Sequence, residues 1–152
     1  GQMCISDSAD PDVEVMLSRD ADSRLWFREK RAVDEWLASE KGFHIMRDHK
    51  YHNVEIPGGM WGARRGTLPD ICELMNDFKK GDYWQTDQEF LSEVIYGKIK
   101  NDCFVHDEFF ENKPFPKSSR DPRHFVGQAY AGDGKILDDE EFFQDFIRRQ
   151  KS

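Results

Sequence analysis

The chain has 152 residues, of which 38% are hydrophobic and 13% aromatic, and its formal net charge is -8. This length suits one domain, residues 1–152, with a modest core built largely on Phe and Trp. The acidic balance argues against a nucleic-acid partner, and no apolar run approaches the roughly 20 residues of a membrane-spanning helix.

The first third of the chain predicts a strand followed by a helix. Residues 1–12 are polar and predicted to be irregular, and the apolar run at 13–17 predicts a strand inside a sheet. Ser23 is a candidate N-cap for a helix that ends near Gly42. The apolar positions of this helix are Leu25, Trp26, Val33, Trp36 and Leu37. Its predicted solvent-facing positions are Arg28, Glu29, Lys30 and Arg31.

The middle of the chain predicts two strands and then two helices. Residues 43–47 and 60–64 are the strand candidates, with a turn at 57–59 between them. Thr67 is predicted to cap the first helix, with Pro69 in its first turn, and Thr86 with Glu89 forms a capping box for the second. The inward positions of these helices are Ile71, Leu74, Met75 and Phe78, then Phe90, Leu91, Val94 and Ile95.

The last third predicts a strand at 103–106, a loop at 112–122, a short extended piece at 125–127 and a terminal helix at 138–151. The terminal helix is acidic at its start and basic at its end, as the helix dipole prefers. Strands alternating with helices predict an α/β fold, a mixed sheet flanked by helices.

The three cysteines are far apart in the sequence and form no CxxC pair. This spacing argues against a disulfide framework and favours a reducing, cytoplasmic location. Cys72 and Cys103 are predicted to be buried, inert thiols. No signal peptide is visible, because residues 1–11 are polar and acidic.

The strongest chemical feature is the pair of carboxylates in Asp20-Ala21-Asp22, directly after the first predicted strand. A strand end is rigid, the turn after it exposes both side chains, and hard oxygen ligands suit Mn²⁺ or Mg²⁺. The alternative is ordinary turn and helix-capping chemistry, in which Asp and Ser are common.

Other polar groups also keep two interpretations. Asp48, His49 and His52 suit either half of a metal site or a polar cluster at a strand end. Arg64 is a candidate substrate-binding residue, since it could pair with a phosphate or carboxylate, but otherwise it is solvated. There is no nucleophile elbow, phosphate-binding loop or dinucleotide fingerprint, which disfavours a kinase or dehydrogenase.

Four segments follow one another in an order that resembles the C-terminal part of a GT-A-type nucleotide-sugar glycosyltransferase. They are Asp20-Ala21-Asp22, Gly58-Gly59-Met60-Trp61-Gly62, Asp87-Gln88-Glu89-Phe90-Leu91 and His124-Phe125-Val126-Gly127. The phrases at 19–24 and 43–49 also resemble a group of bacterial and viral-like proteins described as glycosyltransferases. The resemblance covers residues 13–130.

The resemblance implies a Mn²⁺ or Mg²⁺ cofactor, a nucleotide-sugar donor and a carbohydrate acceptor. Asp20 and Asp22 would bind the metal, with His124 as the third ligand and His106 as its rival. The residues bordering the donor sugar would be Gly58, Gly59 and Met60. The catalytic residues, contacting sugar hydroxyls or the acceptor, would be Asp87 and Gln88.

One departure from the family changes the expectation. The family places its nucleotide-binding strands before the Asp-x-Asp, whereas here only 12 residues precede Val13. We therefore expect a truncated domain whose nucleotide-binding half lies before residue 1 or on another chain. Such a domain would leave a sheet edge uncovered, which predicts a homodimer.

Two other functions fit the same residues. One is a non-catalytic binding module that homo-oligomerises through the uncovered sheet edge. The other is a metal-dependent phosphoester hydrolase that uses Asp20, Asp22 and either His49 or His124.

Overall fold

The computed structural model describes residues 8–78, 86–117 and 124–136, which contain four strands and four α-helices. The strands are β1 (Val15–Arg19), β2 (Phe43–Arg47), β3 (Met60–Arg64) and β4 (Cys103–Asp107). The helices are α1 (Phe27–Ala38), α2 (Ile71–Asp77), α3 (Thr86–Phe90) and α4 (Tyr96–Ile99). A π-helical turn joins α3 to α4, and a 3-10 turn leads from α4 into β4. The predicted α/β class is confirmed.

The strands form one mixed sheet in the order β1-β3-β2-β4. β3 runs antiparallel to both β1 and β2, and β2 runs parallel to β4. It follows that β1, β2 and β4 all point the same way. Their carboxyl ends and the start of β3 lie together at one edge of the sheet, called the carboxyl edge below.

Both faces of the sheet are covered by apolar side chains. On one face Phe43 stacks on Trp61 with ring centroids 5.1 Å apart, above a cluster contributed by α2 and the α3–α4 segment. On the other face Trp36 of α1 stacks on His44 at 5.1 Å. The side chains alternate along β2 because a strand has a two-residue period, so one strand serves both layers.

Three strand predictions are confirmed closely, whereas the predicted place of the first strand is wrong. β2 and β3 occupy residues 43–47 and 60–64, and β4 starts at Cys103. β1 starts at Val15 and is an edge strand of the sheet, with Leu17 44% exposed. The apolar run does not require a central strand, since Met16 enters the core on one face and Leu17 lies beside Gly62 on the other.

The predicted solvent face of α1 is wrong at two positions. Arg28 and Glu29 are buried, because Arg28 is paired with Asp48 and Glu29 with Arg19. Leu25, predicted to face inward, is 75% exposed. The helix starts at Phe27, after Trp26, so Ser23 does not cap it.

Three local predictions further along the chain are also wrong. Thr67 does not cap α2, which starts at Ile71, and its hydroxyl donates to the Gly42 carbonyl at 3.0 Å. Residues 125–127 form a turn, in which Gly127 has a positive φ of 84°. Cys72 is an exposed free thiol, and Cys103 is half-buried.

Some predictions concern residues that the structure does not describe. The terminal helix at 138–151 and the end of the loop at 118–122 lie outside the described residues. Within the described residues, no helix combines the length and the apolarity needed to cross a membrane.

Two histidines, the buried His44 and the half-buried His52, make the fold sensitive to acid. Burial lowers the pKa of His44 to about 2 and that of His52 to about 3, and in each case a neighbouring histidine lowers it further. Both residues stay neutral in the folded chain, while in the unfolded chain they take up protons below about pH 6.5. The contribution of the two neutral histidines to the free energy of unfolding is therefore fully present above about pH 6.5 and decreases progressively as the pH falls.

We expect the free energy of unfolding to fall by about 1.4 kcal/mol per pH unit for each such histidine between about pH 6.5 and pH 5. Urea denaturation across this interval, above the ordinary range of carboxylates, measures the slope. A His52→Asn variant should show a shallower slope than the wild type. Equal slopes in the two proteins would contradict the assignment.

Candidate functional site

Four of the predicted site segments lie at the carboxyl edge: Asp20-Ala21-Asp22, Gly58-Gly59, the start of α3 with Gln88, and the turn that follows His124. α1 connects β1 to β2 across one face of the sheet, and α2–α4 lead to β4 across the other. In open α/β sheets, ligands bind outside the carboxyl ends of the strands, where the connections change face. β3 lies at this change of face, between β1 and β2, so its start is the natural centre of a site.

Asp20 and Asp22 lie in a tight turn directly after β1. Ser23 donates its N–H to the Asp20 carbonyl at 3.1 Å, which closes the turn. Asp is favoured at the first position of such turns because its side chain can bond to the backbone that follows. Asp22 is exposed, and its carbonyl accepts the Tyr130 N–H at 2.9 Å.

Gly58 and Gly59 form a second turn that meets the first. Met60 N–H donates to the Pro57 carbonyl at 3.0 Å, which closes this turn, and Ser18 of β1 donates its hydroxyl to the Gly58 carbonyl at 3.0 Å. A Cβ on Gly59 would collide with the Asp20 carboxylate, whose Oδ1 would lie 2.7 Å away. An added Cβ at Gly59, the residue just before β3, would therefore force the Asp20 carboxylate to move, because that carboxylate occupies the space of a Gly59 side chain.

Gln88 of α3 holds the glycine turn from the other side. Its Oε1 accepts the Gly58 N–H at 3.0 Å, and its Nε2 donates to the Ile56 carbonyl at 2.8 Å and contacts the Ser92 hydroxyl at 3.3 Å. These bonds commit most of the amide to the protein itself. A direct contact of Gln88 with a sugar hydroxyl stays a prediction, as does the catalytic role of its neighbour Asp87.

Removing the hydrogen bonds of the Gln88 amide should loosen the glycine turn without unfolding the chain. We expect Gln88→Ala to cost about 1–3 kcal/mol of stability, since it leaves buried backbone groups without partners. Hydrogen exchange of the Gly58 amide should also become faster. Ser92→Ala is the matched control, because it removes only the weakest of the contacts and should leave Gly58 protected. An unchanged rate of hydrogen exchange at the Gly58 amide in Gln88→Ala would show that the Gln88 side chain does not hold the turn.

Partial burial and a neighbouring carboxylate disfavour the ionised form of Asp20. Partial burial raises the pKa of Asp20, the negative charge of Asp22 raises it further, and Arg19 lowers it. A cation bound beside both carboxylates would relieve the repulsion that Asp22 exerts on Asp20. Arg19 is fixed below the turn by Glu29 and by the Trp61 carbonyl, the latter at 2.9 Å.

His124 lies in an aromatic cluster beside the Asp22 turn. Its ring stacks on Trp26 with centroids 4.3 Å apart, and its Nδ1 is 3.2 Å from the Tyr130 hydroxyl. Since Tyr130 also donates its N–H to Asp22, one residue connects the predicted third ligand to the predicted metal-binding turn. Arg24 lies over the Tyr130 ring at 4.3 Å and completes the cluster.

Met60 and Gly127 join the same region by packing. Met60 is buried, and a Cβ on Gly127 would lie 2.6 Å from its Sδ, so this turn sits directly on the start of β3. Val126 donates its N–H to Asp48 Oδ2 at 3.0 Å. The segment that carries His124 is therefore anchored to β2 and β3 at the carboxyl edge.

Two other predicted site residues lie elsewhere. Arg64 is at the opposite end of β3 from Met60, where its guanidinium donates to the carbonyls of Leu37, Ser39 and Lys41 at and just beyond the end of α1. His106 is buried on β4, two strands from β3, between His44 at 2.8 Å and Glu35 at 2.7 Å. The geometry does not bring either residue to Asp20.

The cluster predicted as half of a metal site is occupied by internal contacts. Asp48 is fully buried and paired with Arg28. His52 Nδ1 accepts the Asp48 N–H at 3.1 Å. The His49 and Phe125 rings contact each other at a tilt, with centroids 4.5 Å apart. These contacts favour the structural interpretation, a polar cluster at a strand end.

No group of three or more His, Cys, Asp or Glu side chains in the described residues is arranged to hold a metal ion. The described site offers the two carboxylates of the Asp20-Ala21-Asp22 turn. Tyr130 connects this turn to His124, because it bonds to the Asp22 carbonyl and to the His124 ring.

The sequence did not predict the positioning roles of several residues that build the site. Ser18, Trp26, Tyr130 and the Arg28–Asp48 pair all position the turns described above. Trp26 could have been suspected from its place just after the Asp-x-Asp. The others carry no local signal, because each acts on a partner distant in sequence.

Comparison of the chain with protein-family models, curated proteins and solved structures gave no match.

Proposed function

We propose that this chain is the cation- and diphosphate-binding part of a GT-A-type glycosyltransferase that uses a nucleotide-sugar donor. One observation carries the proposal: the Asp20-Ala21-Asp22 turn and the Gly58-Gly59 turn meet at the carboxyl edge, with the Asp20 carboxylate in the place of a Gly59 side chain. The sequence order resembles the family, and the fold supports it by making distant segments neighbours.

The donor set fits a divalent cation. Asp20 and Asp22 offer hard oxygen ligands on a turn fixed by β1, and partial burial together with the negative charge of Asp22 raises the pKa of Asp20. Mn²⁺ and Mg²⁺ prefer such oxygens and complete their coordination with water or substrate phosphate. In this proposal Asp20 and Asp22 hold the metal, and His124 is the candidate third ligand.

The Gly58-Gly59 turn supplies backbone beside the cation. The Met60 side chain is buried against Gly127 and Gly59 is buried as well, so the surface offered to a donor sugar comes from the half-buried backbone of Gly58. Gln88 keeps this backbone in place from the core side. Close approach of a ligand to backbone is a common reason for paired glycines at a strand start.

The proposed chemistry assigns distinct roles to the chain's own groups. A bound cation would neutralise the charge that develops on the departing diphosphate, as a Lewis acid does. Asp20 and Asp22 fix its position, and the glycine turn orients the sugar. Asp87, at the start of α3, is the candidate carboxylate for an oxocarbenium-like transition state.

Calorimetry with Mn²⁺ followed by a panel of nucleotide sugars tests the proposal. We expect the wild-type chain to bind a nucleotide sugar only with Mn²⁺ or Mg²⁺ present, and Asp22→Ala to lose this binding. Asp34→Asn is the matched control, because it changes an exposed carboxylate of α1 that pairs with Lys30.

Two outcomes would replace the proposal. Hydrolysis of a generic phosphodiester without any sugar nucleotide would favour the phosphoester hydrolase. A complete lack of metal binding would leave the non-catalytic binding module. The cytoplasmic location stays a prediction.

A further inference from the structure

The outer side of β4 is an open edge of the sheet in the described residues. On its inner side β4 pairs with β2 along its whole length, from Cys103 to Asp107. On its outer side, the described residues provide one bridge, between Asp107 and Lys113 at the end of the strand. An open edge presents unpaired backbone groups and is a template for another strand.

The hydrogen bonds at the end of β4 show which residues face outward. Asp107 N–H donates to the Lys113 carbonyl at 2.6 Å, and the Asp107 carbonyl accepts the Lys113 N–H at 3.2 Å. The next residue, Glu108, donates inward to the Arg47 carbonyl at 3.1 Å. Because backbone groups alternate in direction along a strand, those of Val105 and Cys103 point outward as well.

From this alternation we propose that two copies of the chain pair their β4 strands antiparallel, about a two-fold axis at Phe104. In this register the N–H and C=O of Cys103 bond to Val105 of the second copy, and those of Val105 bond to its Cys103. The Phe104 residues face each other as a non-hydrogen-bonded pair. Other registers leave an outward residue unused or meet the Lys113 segment, which already covers Asp107.

The side chains around the edge are self-complementary, as an isologous contact requires. Phe104 is a partly exposed ridge between two grooves. The groove towards His106 contains Glu35 and Lys113. The groove at the start of the strand contains Glu40, Lys41 and Asp102.

The two-fold axis brings opposite charges together. It places one copy's His106 end beside the other copy's Cys103 end. Lys113, which pairs with Glu111 in its own copy, then lies towards the acidic residues Glu40 and Asp102, and Glu35, which pairs with His106, lies towards Lys41. Each contact occurs twice by symmetry. This complementarity identifies a second copy of the chain as the occupant, and the inference is independent of the proposed glycosyltransferase activity.

Disulfide trapping tests both the partner and the register. Residues facing each other in a non-hydrogen-bonded antiparallel pair have Cα atoms about 4.5 Å apart, within the range of about 4.4–6.8 Å that a disulfide spans. In a chain with Cys4→Ser, Cys72→Ser and Cys103→Ser, Phe104→Cys should form a covalent dimer on mild oxidation. Leu17→Cys is the matched control, since Leu17 is more than a third exposed on the other edge strand, β1. It should stay monomeric on denaturing gels.

Sedimentation velocity across a concentration series tests the uncrosslinked protein. The wild type should shift from monomer to dimer with concentration. Val105→Pro, which removes an outward N–H and is tolerated at an edge, should stay a monomer with unchanged circular dichroism. A wild-type chain that is monomeric throughout would overturn the proposal. So would equal crosslinking of Phe104→Cys and Leu17→Cys, or protection of the Val105 amide in a monomer by a segment of the same chain.

Discussion

Replacing Arg28 with methionine is expected to lower the free energy of unfolding by about 3–5 kcal/mol. Arg28 donates to both oxygens of Asp48 at 2.9 Å and to Glu108 at 2.8 Å. Asp48 is fully buried, so methionine would keep much of the packing but leave a buried carboxylate without its cation. Breaking one side of a buried pair costs far more than the pair contributes.

Lys30→Met is the matched control for this change. Lys30 lies on the same helix, and its pair with Asp34 is exposed. Removing an exposed pair of this kind costs under about 1 kcal/mol. Urea denaturation of the two variants measures the difference. Similar losses in both would show that the Arg28–Asp48 pair is not the anchor described here.

The same variant should disturb the site. Asp48 also accepts the Val126 N–H, and the adjoining Gly127 packs on Met60. We therefore expect hydrogen exchange of the Val126 amide to become faster in Arg28→Met than in Lys30→Met, under conditions in which both variants stay folded.

The second large effect is expected for Gly59→Ala. The added methyl would displace the Asp20 carboxylate from its place over the glycine turn. We expect Mn²⁺ affinity to fall at least tenfold, or about 1.4 kcal/mol.

Gly97→Ala is the control for this substitution. Gly97 lies on α4, with no atom within 4 Å of an added Cβ. Alanine in a helix interior is favoured over glycine by about 0.5–1 kcal/mol, so this variant should gain stability and keep its metal affinity. Gly59→Ala with unchanged Mn²⁺ affinity would exclude the Asp20–Gly59 contact from the metal site.

Short apolar runs bounded by turns were sufficient to predict most of the sheet. β2 and β3 have their predicted boundaries because each is a compact apolar run next to polar or glycine-rich residues. The edge position of β1 could not be predicted, since strand order depends on which strands pair over a long sequence separation. β1 pairs with β3, beyond the whole of α1 and β2.

Buried charges were the main source of error. Arg28 and Glu29 look like surface residues in a charged run, and charged side chains are rarely buried unless they are paired. The partners of Arg28 lie 20 and 80 residues away, so no local pattern indicates them. The contact between Asp20 and Gly59 likewise could not be predicted, although the sequence analysis names both residues as site candidates.

The central claim is tested most directly by titrating the chain with Mn²⁺ and measuring the free ion by its electron paramagnetic resonance signal. The claim is that the Asp20-Ala21-Asp22 turn is a cation site. We predict saturable binding to the wild-type chain, lost in Asp20→Asn and in Asp22→Asn and retained in Asp34→Asn. Equal binding by the wild type and both site variants, or no binding by the wild type, would contradict it.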